Sequence, residues 1–417
     1  MSRVARRRAL ERIELIAVGD ELLSGRITDT NSTFIGRRLS ALGAAPARRV
    51  TVGDDEEAIS DALSAAMARA EFVIVMGGLG PTPDDKTVAA VAALLGRKLV
   101  LHRPTLRRVR AFFKRRGAVM PELSARQALV PEGAVLVENP CGMVPGIIIE
   151  QPGCTIALLP GVPVEMEALM EKGVLPWLEK RYRLAPVFSR TVRTFSVAES
   201  AIAEKAAPLF RRYPRVVPAF YPSTNGVDVV LKAGRELDVR RCVAGLLRLL
   251  GTSVYAVGDE SLAAVAGKLL RAQGLTVATA ESCTGGLIGD RLTDVAGSSG
   301  YYAGGVVSYS NDVKVKLLGV ARDTLREHGA VSAATVMEMV AGVMLLAGAG
   351  AGIAVSGIAG PGGGTKAKPV GLVYTAVAVG RHVVVERHVF SGTRRMVKER
   401  ASSSALDLLR RILEGKA

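Results

Sequence analysis

Residues 280–286 read Ala-Glu-Ser-Cys-Thr-Gly-Gly and place two candidate nucleophiles, Ser282 and Cys283, side by side. They follow a strand-like run, Thr276–Ala280, and precede a helical pattern. A nucleophile at such a turn has a helix N-terminus available to stabilise an oxyanion. The chain's four histidines (His102, His328, His382, His388) fall outside the polar motifs nearby. A serine without histidine can be activated by a lysine, provided burial or neighbouring positive charge lowers the amine's pKa. Lys314, in Tyr309-Ser310-Asn311-Asp312-Val313-Lys314, is the candidate base, with Tyr309 sharing the proton relay. Blander readings compete: Ser282 as a helix cap and Lys314 as a solvated charge. Cys283 is the rival nucleophile, because thiols at helix N-termini ionise readily. Ser282 is preferred, since one of two adjacent side chains must turn away from a shared pocket.

Three glycine-rich loops have the composition to cradle phosphate. Ser356-Gly357-Ile358-Ala359-Gly360-Pro361-Gly362-Gly363-Gly364-Thr365, then Lys368-Pro369-Val370-Gly371, follows a buried apolar run. Gly19-Asp20-Glu21-Leu22-Leu23-Ser24-Gly25, continued by Asp29-Thr30-Asn31, follows another, and Gly77-Gly78-Leu79-Gly80-Pro81-Thr82-Pro83-Asp84-Asp85-Lys86-Thr87 a third. Glycines let the backbone approach a ligand, and their N–H groups bind phosphate oxygens. Asp84 and Asp85 suit a divalent metal, and Asp20 or Glu21 suits orienting a water. Capping of the next helix is the competing role for the aspartates.

The elements that position these loops alternate between strand and helix periods. Ile13–Val18, Arg48–Val52 and Phe72–Met76 read as strands; Asn31–Leu42, Glu56–Arg69, Thr87–Leu95 and Pro104–Arg116 read as helices. Short strands follow near Ile147–Ile149 and Thr155–Leu159. This is an α/β pattern with a mostly parallel sheet, whose ligands belong at the carboxyl ends of the strands. Residues 176–258 read as a small α+β unit, with strands at Thr191–Val197, Val227–Leu231 and Val254–Val257. Residues 259–417 return to α/β. Three domains are therefore expected, at 1–175, 176–258 and 259–417.

GDELLSGRITDTN, GGLGPTPDDKT, Asn139-Pro140 and Leu159-Pro160-Gly161-Val162-Pro163-Val164-Glu165-Met166 resemble the molybdopterin-binding-like domain of the CinA (competence/damage-inducible) family. The resemblance implies a three-layer fold and metal-dependent cleavage of ADP-ribose to AMP and ribose 5-phosphate. It places Asp20, Glu21, Asn31, Gly78, Thr82, Asp84, Asp85 and Glu165 at that site, with a divalent metal (Mg, Mn or Co) and K+ as cofactors. Met143 departs from the family pattern, where a threonine is usual.

AESCTGG, GGVVSYSNDVK, Gly329–Ser332, SGIAGPGGGT and KPVG are similar to the C-terminal nicotinamide-nucleotide amidase domain of the same family. That resemblance implies hydrolysis of nicotinamide mononucleotide (NMN) to nicotinate mononucleotide and ammonia. Ser282 is then the nucleophile, Lys314 the base and Tyr309 its helper, with no cofactor. Thr284, Gly285, Gly286, Ser356, Gly357, Gly360, Gly363, Gly364 and Arg394 would bind substrate. Ser356 stands where threonine is common and Leu372 replaces another threonine. Alternatives are an amidase with a non-catalytic nucleotide-binding N-terminal module, or a non-enzymatic competence or DNA-repair accessory.

Composition bounds the partners. The 417 residues carry a net charge of +16, with 49% hydrophobic residues, which excludes whole-chain disorder. In residues 176–258 basic residues outnumber acidic ones by 14 to 6, so half the excess lies where chemical motifs are fewest. With no aromatic-interleaved basic motif, small nucleotides are the expected partners and nucleic acid is not. The four cysteines show no zinc or disulfide spacing, and the basic N-terminus is neither a signal peptide nor a membrane span. A cytoplasmic protein is expected, and the resemblance implies a homodimer.

Overall fold

Strands covered on both faces read as continuous apolar runs, and the chain's longest such runs build its parallel sheets. The computed structural model describes residues 8–417. They fall into two compact units, 8–187 and Phe188–Ala417.

In the first unit, β1 (Ile13–Val18), β2 (Arg48–Val52), β3 (Phe72–Met76), β4 (Val135–Val137), β5 (Gly146–Gln151) and β6 (Cys154–Leu159) form one sheet, ordered β2-β1-β3-β6-β5-β4. β1, β2, β3 and β6 are parallel; β5 alone runs against them, antiparallel to both β6 and the edge strand β4. Alternation sends Ile16, Val18, Val73 and Val75 to one face, under helices α2 (Glu56–Met67) and α3 (Thr87–Leu94). Leu15, Ala17, Phe72 and Ile74 face the other way. They meet α1 (Thr30–Ala41), α5 (Pro163–Leu169) and α6 (Leu175–Arg181). The result is the expected three-layer α/β arrangement. Helix α4 (Arg103–Arg115) packs through Thr105, Leu106 and Val109. The boundary expected at residue 175 falls at the start of α6. Leu175 and Leu178 are buried in this unit's core, so the unit continues to Val187.

The second unit holds both the middle and third sections. β7 (Phe188–Thr194), β8 (Val217–Ser223), β9 (Gly226–Ala233) and β10 (Val254–Val257) form an antiparallel sheet ordered β8-β9-β7-β10. Helices α7 (Glu199–Arg212) and α8 (Glu236–Leu250) cover it. Strand β8 was not expected, because Pro218 and Pro222 argue against a strand; its position at the sheet edge accommodates both.

The third section is a second three-layer arrangement. β11 (Val277–Glu281), β12 (Tyr302–Val307), β13 (Ala351–Gly357), β14 (Leu372–Val379) and β15 (His382–Val389) are ordered β12-β11-β13-β14-β15. Helices α9 (Leu262–Ala272), α10 (Leu287–Thr293) and α14 (Arg394–Leu413) cover one face. The opposite face carries α11 (Asn311–Leu318) and α13 (Ala333–Ala347); α12 (Arg322–His328) lies between them in the chain. That face is lined by Ala278, Ala280, Ala354, Ala376 and Ala378, so α13 approaches closely. A Cβ at Gly352 would lie 2.6 Å from Met344 Cγ.

Helix α14 buries a charge. Arg410 donates to Asp407 Oδ1 (2.7 Å), Glu414 Oε2 (2.8 Å) and the Thr252 carbonyl (2.8 Å). Removing one partner of a buried pair leaves an uncompensated charge, at a cost of about 3–5 kcal/mol. Asp407→Ala leaves Arg410 paired with Glu414 alone and is expected to lose stability toward the lower end of that range in urea unfolding. Asp323→Ala, which breaks an exposed pair with Arg326 on α12, should change stability by less than about 1 kcal/mol.

Candidate functional site

In each α/β sheet the first parallel strand has neighbours reached by crossovers in opposite directions, and such a switch point opens a crevice at the strands' carboxyl ends. In the second unit that crevice receives the ends of β11, β12 and β13, hence Ser282, Ser308 and Ser356. The Ser282 N–H donates to the Val355 carbonyl (2.9 Å), and the Ser308 N–H to that of Glu281 (2.8 Å). Ser282 and Ser308 are thereby both tied to the sheet.

Lys314 is 1% exposed, and its Nζ donates to Ser282 Oγ at 3.2 Å. It also reaches the carbonyls of Ser308 (2.6 Å) and Tyr309 (3.5 Å). No carboxylate among the described residues pairs with it, and burial holds its pKa below the ordinary lysine value. Cys283 instead turns into the apolar core beside Ile288 and Val355, where burial pushes its thiol up to about 12. The thiol is therefore protonated at neutral pH, which disfavours the rival nucleophile. Tyr309 does not offer its hydroxyl to Lys314 as expected. Its side chain is 64% exposed and the hydroxyl accepts from Arg394 Nη2 (3.1 Å), so only its carbonyl touches the amine.

Glu281, absent from the sequence-based site, organises the turn. Fully buried, it accepts from the N–H groups of Gly286 (3.0 Å), Ile288 (3.1 Å) and Gly289 (2.9 Å), capping α10. Three amides at the N-terminus of α10 are thus occupied, whereas the N–H groups of Cys283 and Thr284 make no backbone hydrogen bond among the described residues. Gly285 and Gly286 take positive φ (64° and 94°), as this tight turn requires. Lys398 was also missed: a Cβ on Gly285 would lie 3.5 Å from its Nζ, placing a cation at the mouth of the site. In the glycine-rich loop Ser356 Oγ donates to the Ala330 carbonyl (2.6 Å) and Arg394 Nη1 to that of Gly360 (2.8 Å). Gly357 is partly exposed, while Gly363 and Gly364 are open to solvent. Arg394 therefore joins the loop to Tyr309.

In the first unit the crevice lies at the ends of β1, β2, β3 and β6. Asp20 and Glu21 begin a one-turn helix after β1, while Asp54 follows β2. The Asp20 N–H donates to Asp54 Oδ2 (3.0 Å) and the Asp54 N–H to Asp20 Oδ1 (3.3 Å). Asp54 was not singled out in the sequence. Burial raises its carboxyl above the usual range, and the charges of Asp20, Glu21 and Asp84 add to the effect. After β3, Gly77 has φ 101° and a Cβ there would lie 2.3 Å from the Val18 carbonyl. Thr87 Oγ1 donates to the Gly77 carbonyl (2.8 Å) and occupies the space a side chain at Gly78 would need.

The two loop aspartates diverge. Asp85 accepts from the N–H groups of Gly80 (2.7 Å) and Thr82 (2.8 Å) and from the Thr82 hydroxyl, so it staples the loop. Asp84 is exposed and held below the usual carboxylate range, first by the Thr82 hydroxyl. Asn139, fully buried, donates to Glu165 Oε2 (2.7 Å) and fixes it beside Gly142. Asn31 Nδ2 donates to the Gly161 carbonyl (2.7 Å), while its Oδ1 has no partner. Three metal-ligating side chains do not converge among the described residues. A hard cation bound with phosphate needs only one or two carboxylates, and Asp84 with Asp20 or Asp54 fits that donor set; Asp85 does not.

Comparison with known proteins finds a family match in each α/β section. Residues 14–180 match the probable molybdopterin binding domain, and residues 259–413 match the CinA C-terminal domain. A CinA-like protein of Kosmotoga olearia is 40% identical over 96% of this chain and 98% of its own length. A putative competence-damage inducible protein of Acetivibrio thermocellus is 42% identical over 95% and 98%. A crystal structure of a competence/damage inducible protein from Agrobacterium tumefaciens is 41% identical, covering 37% of this chain and 93% of that one, with a TM-score of 0.36. Among the described residues no helix is long and apolar enough to cross a membrane. With near-complete coverage of relatives at this identity, the chain belongs to the CinA family.

Proposed function

We propose that the chain is a bifunctional hydrolase of pyridine nucleotides. The second unit would deamidate NMN to nicotinate mononucleotide and ammonia. The first would split ADP-ribose with water into AMP and ribose 5-phosphate. The observation that carries the amidase reading is the 3.2 Å approach of a buried, carboxylate-free Lys314 amine to Ser282 Oγ.

Neutral Lys314 takes the Ser282 proton as Oγ attacks the carboxamide carbon, and the amides of Cys283 and Thr284 receive the developing oxyanion. The resulting ammonium returns its proton to the departing nitrogen, so ammonia leaves as the acyl-enzyme forms. Water, deprotonated by Lys314, then releases the nicotinate ring carboxylate and restores Ser282. The cations of Arg394 and Lys398, with the Gly360–Gly364 loop, suit the 5′-phosphate. In the first unit a divalent metal held by Asp84 with Asp20 or Asp54 would neutralise the diphosphate of ADP-ribose. Glu21 and Asp54 would orient the attacking water, and the Gly77–Gly80 amides would cradle phosphate oxygens. Among the described residues no three ligating side chains cluster, which favours a second reading, in which the first unit binds a nucleotide without cleaving it.

Ser282→Ala is expected to lower the rate of ammonia release from NMN by about 10^4-fold or more, and Lys314→Met by about 10^2–10^4-fold. Cys283→Ala should retain most of it; loss in that variant alone would move the nucleophile to the thiol. The base must be neutral to act, so kcat/KM should rise with pH along a limb below the ordinary lysine value of 10.5. That limb should disappear in Lys314→Met.

AMP formation from ADP-ribose is expected to vanish with EDTA and in Asp84→Ala, while ammonia release persists in both. ADP-ribose binding without AMP formation would establish the second reading.

A further inference from the structure

Residues 1–187 carry 26 Lys and Arg against 21 Asp and Glu, and the basic excess is segregated. Helix α4 reads Arg-Pro-Thr-Leu-Arg-Arg-Val-Arg-Ala-Phe-Phe-Lys-Arg and contains no Asp or Glu. At 3.6 residues per turn, Arg103, Arg107, Arg110 and Lys114 fall within about 60° of one another around the axis. All four are exposed, and none has a hydrogen-bond or ion-pair partner among the described residues. Their Cα atoms span about 16 Å along the axis, at 1.5 Å per residue.

Such a row works against the helix that carries it. Arg103 stands in the first turn, where the macrodipole disfavours a cation, and like charges three or four residues apart repel. Other helices of the chain pair their cations at that spacing: Arg240 with Glu236, Arg326 with Asp323 and Arg395 with Glu399. Arg108, on another side of α4, is committed to Glu138 and to the carbonyls of Asn139 and Gly142, which steady the Glu165 loop. The row is therefore a charge arrangement that folding does not require.

We propose that this ridge binds the phosphate backbone of a nucleic acid. A file of cations this long exceeds the two phosphates of a dinucleotide and matches a linear polyanion. A lipid surface fits less well, because the apolar side of α4 (Thr105, Leu106, Val109) is already packed into the protein and cannot insert. Section-wide charge counts hid the ridge. Without these four residues the first unit is close to neutral, and only helical register brings them into line. This inference is independent of the proposed hydrolase activities.

The test is binding of the full chain to a fluorescent 20-base-pair DNA duplex between 50 and 200 mM salt. Four phosphate contacts predict log K falling against log salt with a slope of about −3.6. The triple variant Arg107→Ala/Arg110→Ala/Lys114→Ala should reduce the slope by about 3, with both hydrolase rates and the thermal midpoint maintained. The variant removes exposed, mutually repelling charges, so the thermal midpoint serves as a direct check of its folding. No binding at 50 mM salt would overturn the proposal, as would a slope unchanged by the triple variant. Loss of binding only in Arg211→Ala/Arg212→Ala/Arg215→Ala would move the footprint to the middle section and overturn it too. Binding to vesicles with 30% phosphatidylserine but not to the duplex would replace it with a lipid surface.

Discussion

A lysine amine sealed from water without a carboxylate is the constraint around which the second unit is arranged. Burying an ammonium is costly unless it is paired, and the protein answers with neutral acceptors only: one hydroxyl and two carbonyls. That choice favours the neutral amine, the form able to remove a proton from serine. It also fixes the sheet geometry, because the hydroxyl follows β11 and both carbonyls follow β12. These parallel neighbours must end in register, as Glu281 opposite Val307 does. A carboxylate in the same place would strengthen the ion pair and remove the base.

The neighbouring carboxylate is kept busy elsewhere. Glu281 lies immediately before Ser282, yet its oxygens are directed to three amides of α10. It compensates the helix terminus and leaves the amides after Ser282 for the substrate. The first unit uses the same device in Asp85, which staples the Gly80–Thr82 loop while Asp84 faces outward. In both sites, one carboxylate fixes the backbone so that adjacent groups remain available for chemistry.

The parts legible in the sequence were those whose chemistry is local. Apolar runs located the parallel strands, and Ser282, Lys314 and the glycine loops stood out by residue type at strand ends. What escaped depended on contacts between distant segments or on the main chain. Asp54 is part of the first site only because β2 lies beside β1. Lys398 reaches the turn at Gly285 from the last helix. Tyr309 was assigned by its phenol, whereas its carbonyl makes the contact, and a carbonyl has no residue signature. Helix α13 went unnoticed because it is apolar beyond its buried face, with Leu345 and Leu346 exposed. The boundary expected between residues 175 and 176 moved because α6, assigned to the middle unit, carries Leu178 into the first core.

The account rests on Lys314 being a neutral base within reach of Ser282, and titration of its side chain by NMR tests this most directly. The signal is assigned by its absence in Lys314→Met. The account predicts a midpoint below the ordinary lysine value of 10.5, set apart from those of the exposed lysines. A midpoint at or above 10.5 would mean that the amine stays charged, and would contradict the assignment of Lys314 as the base.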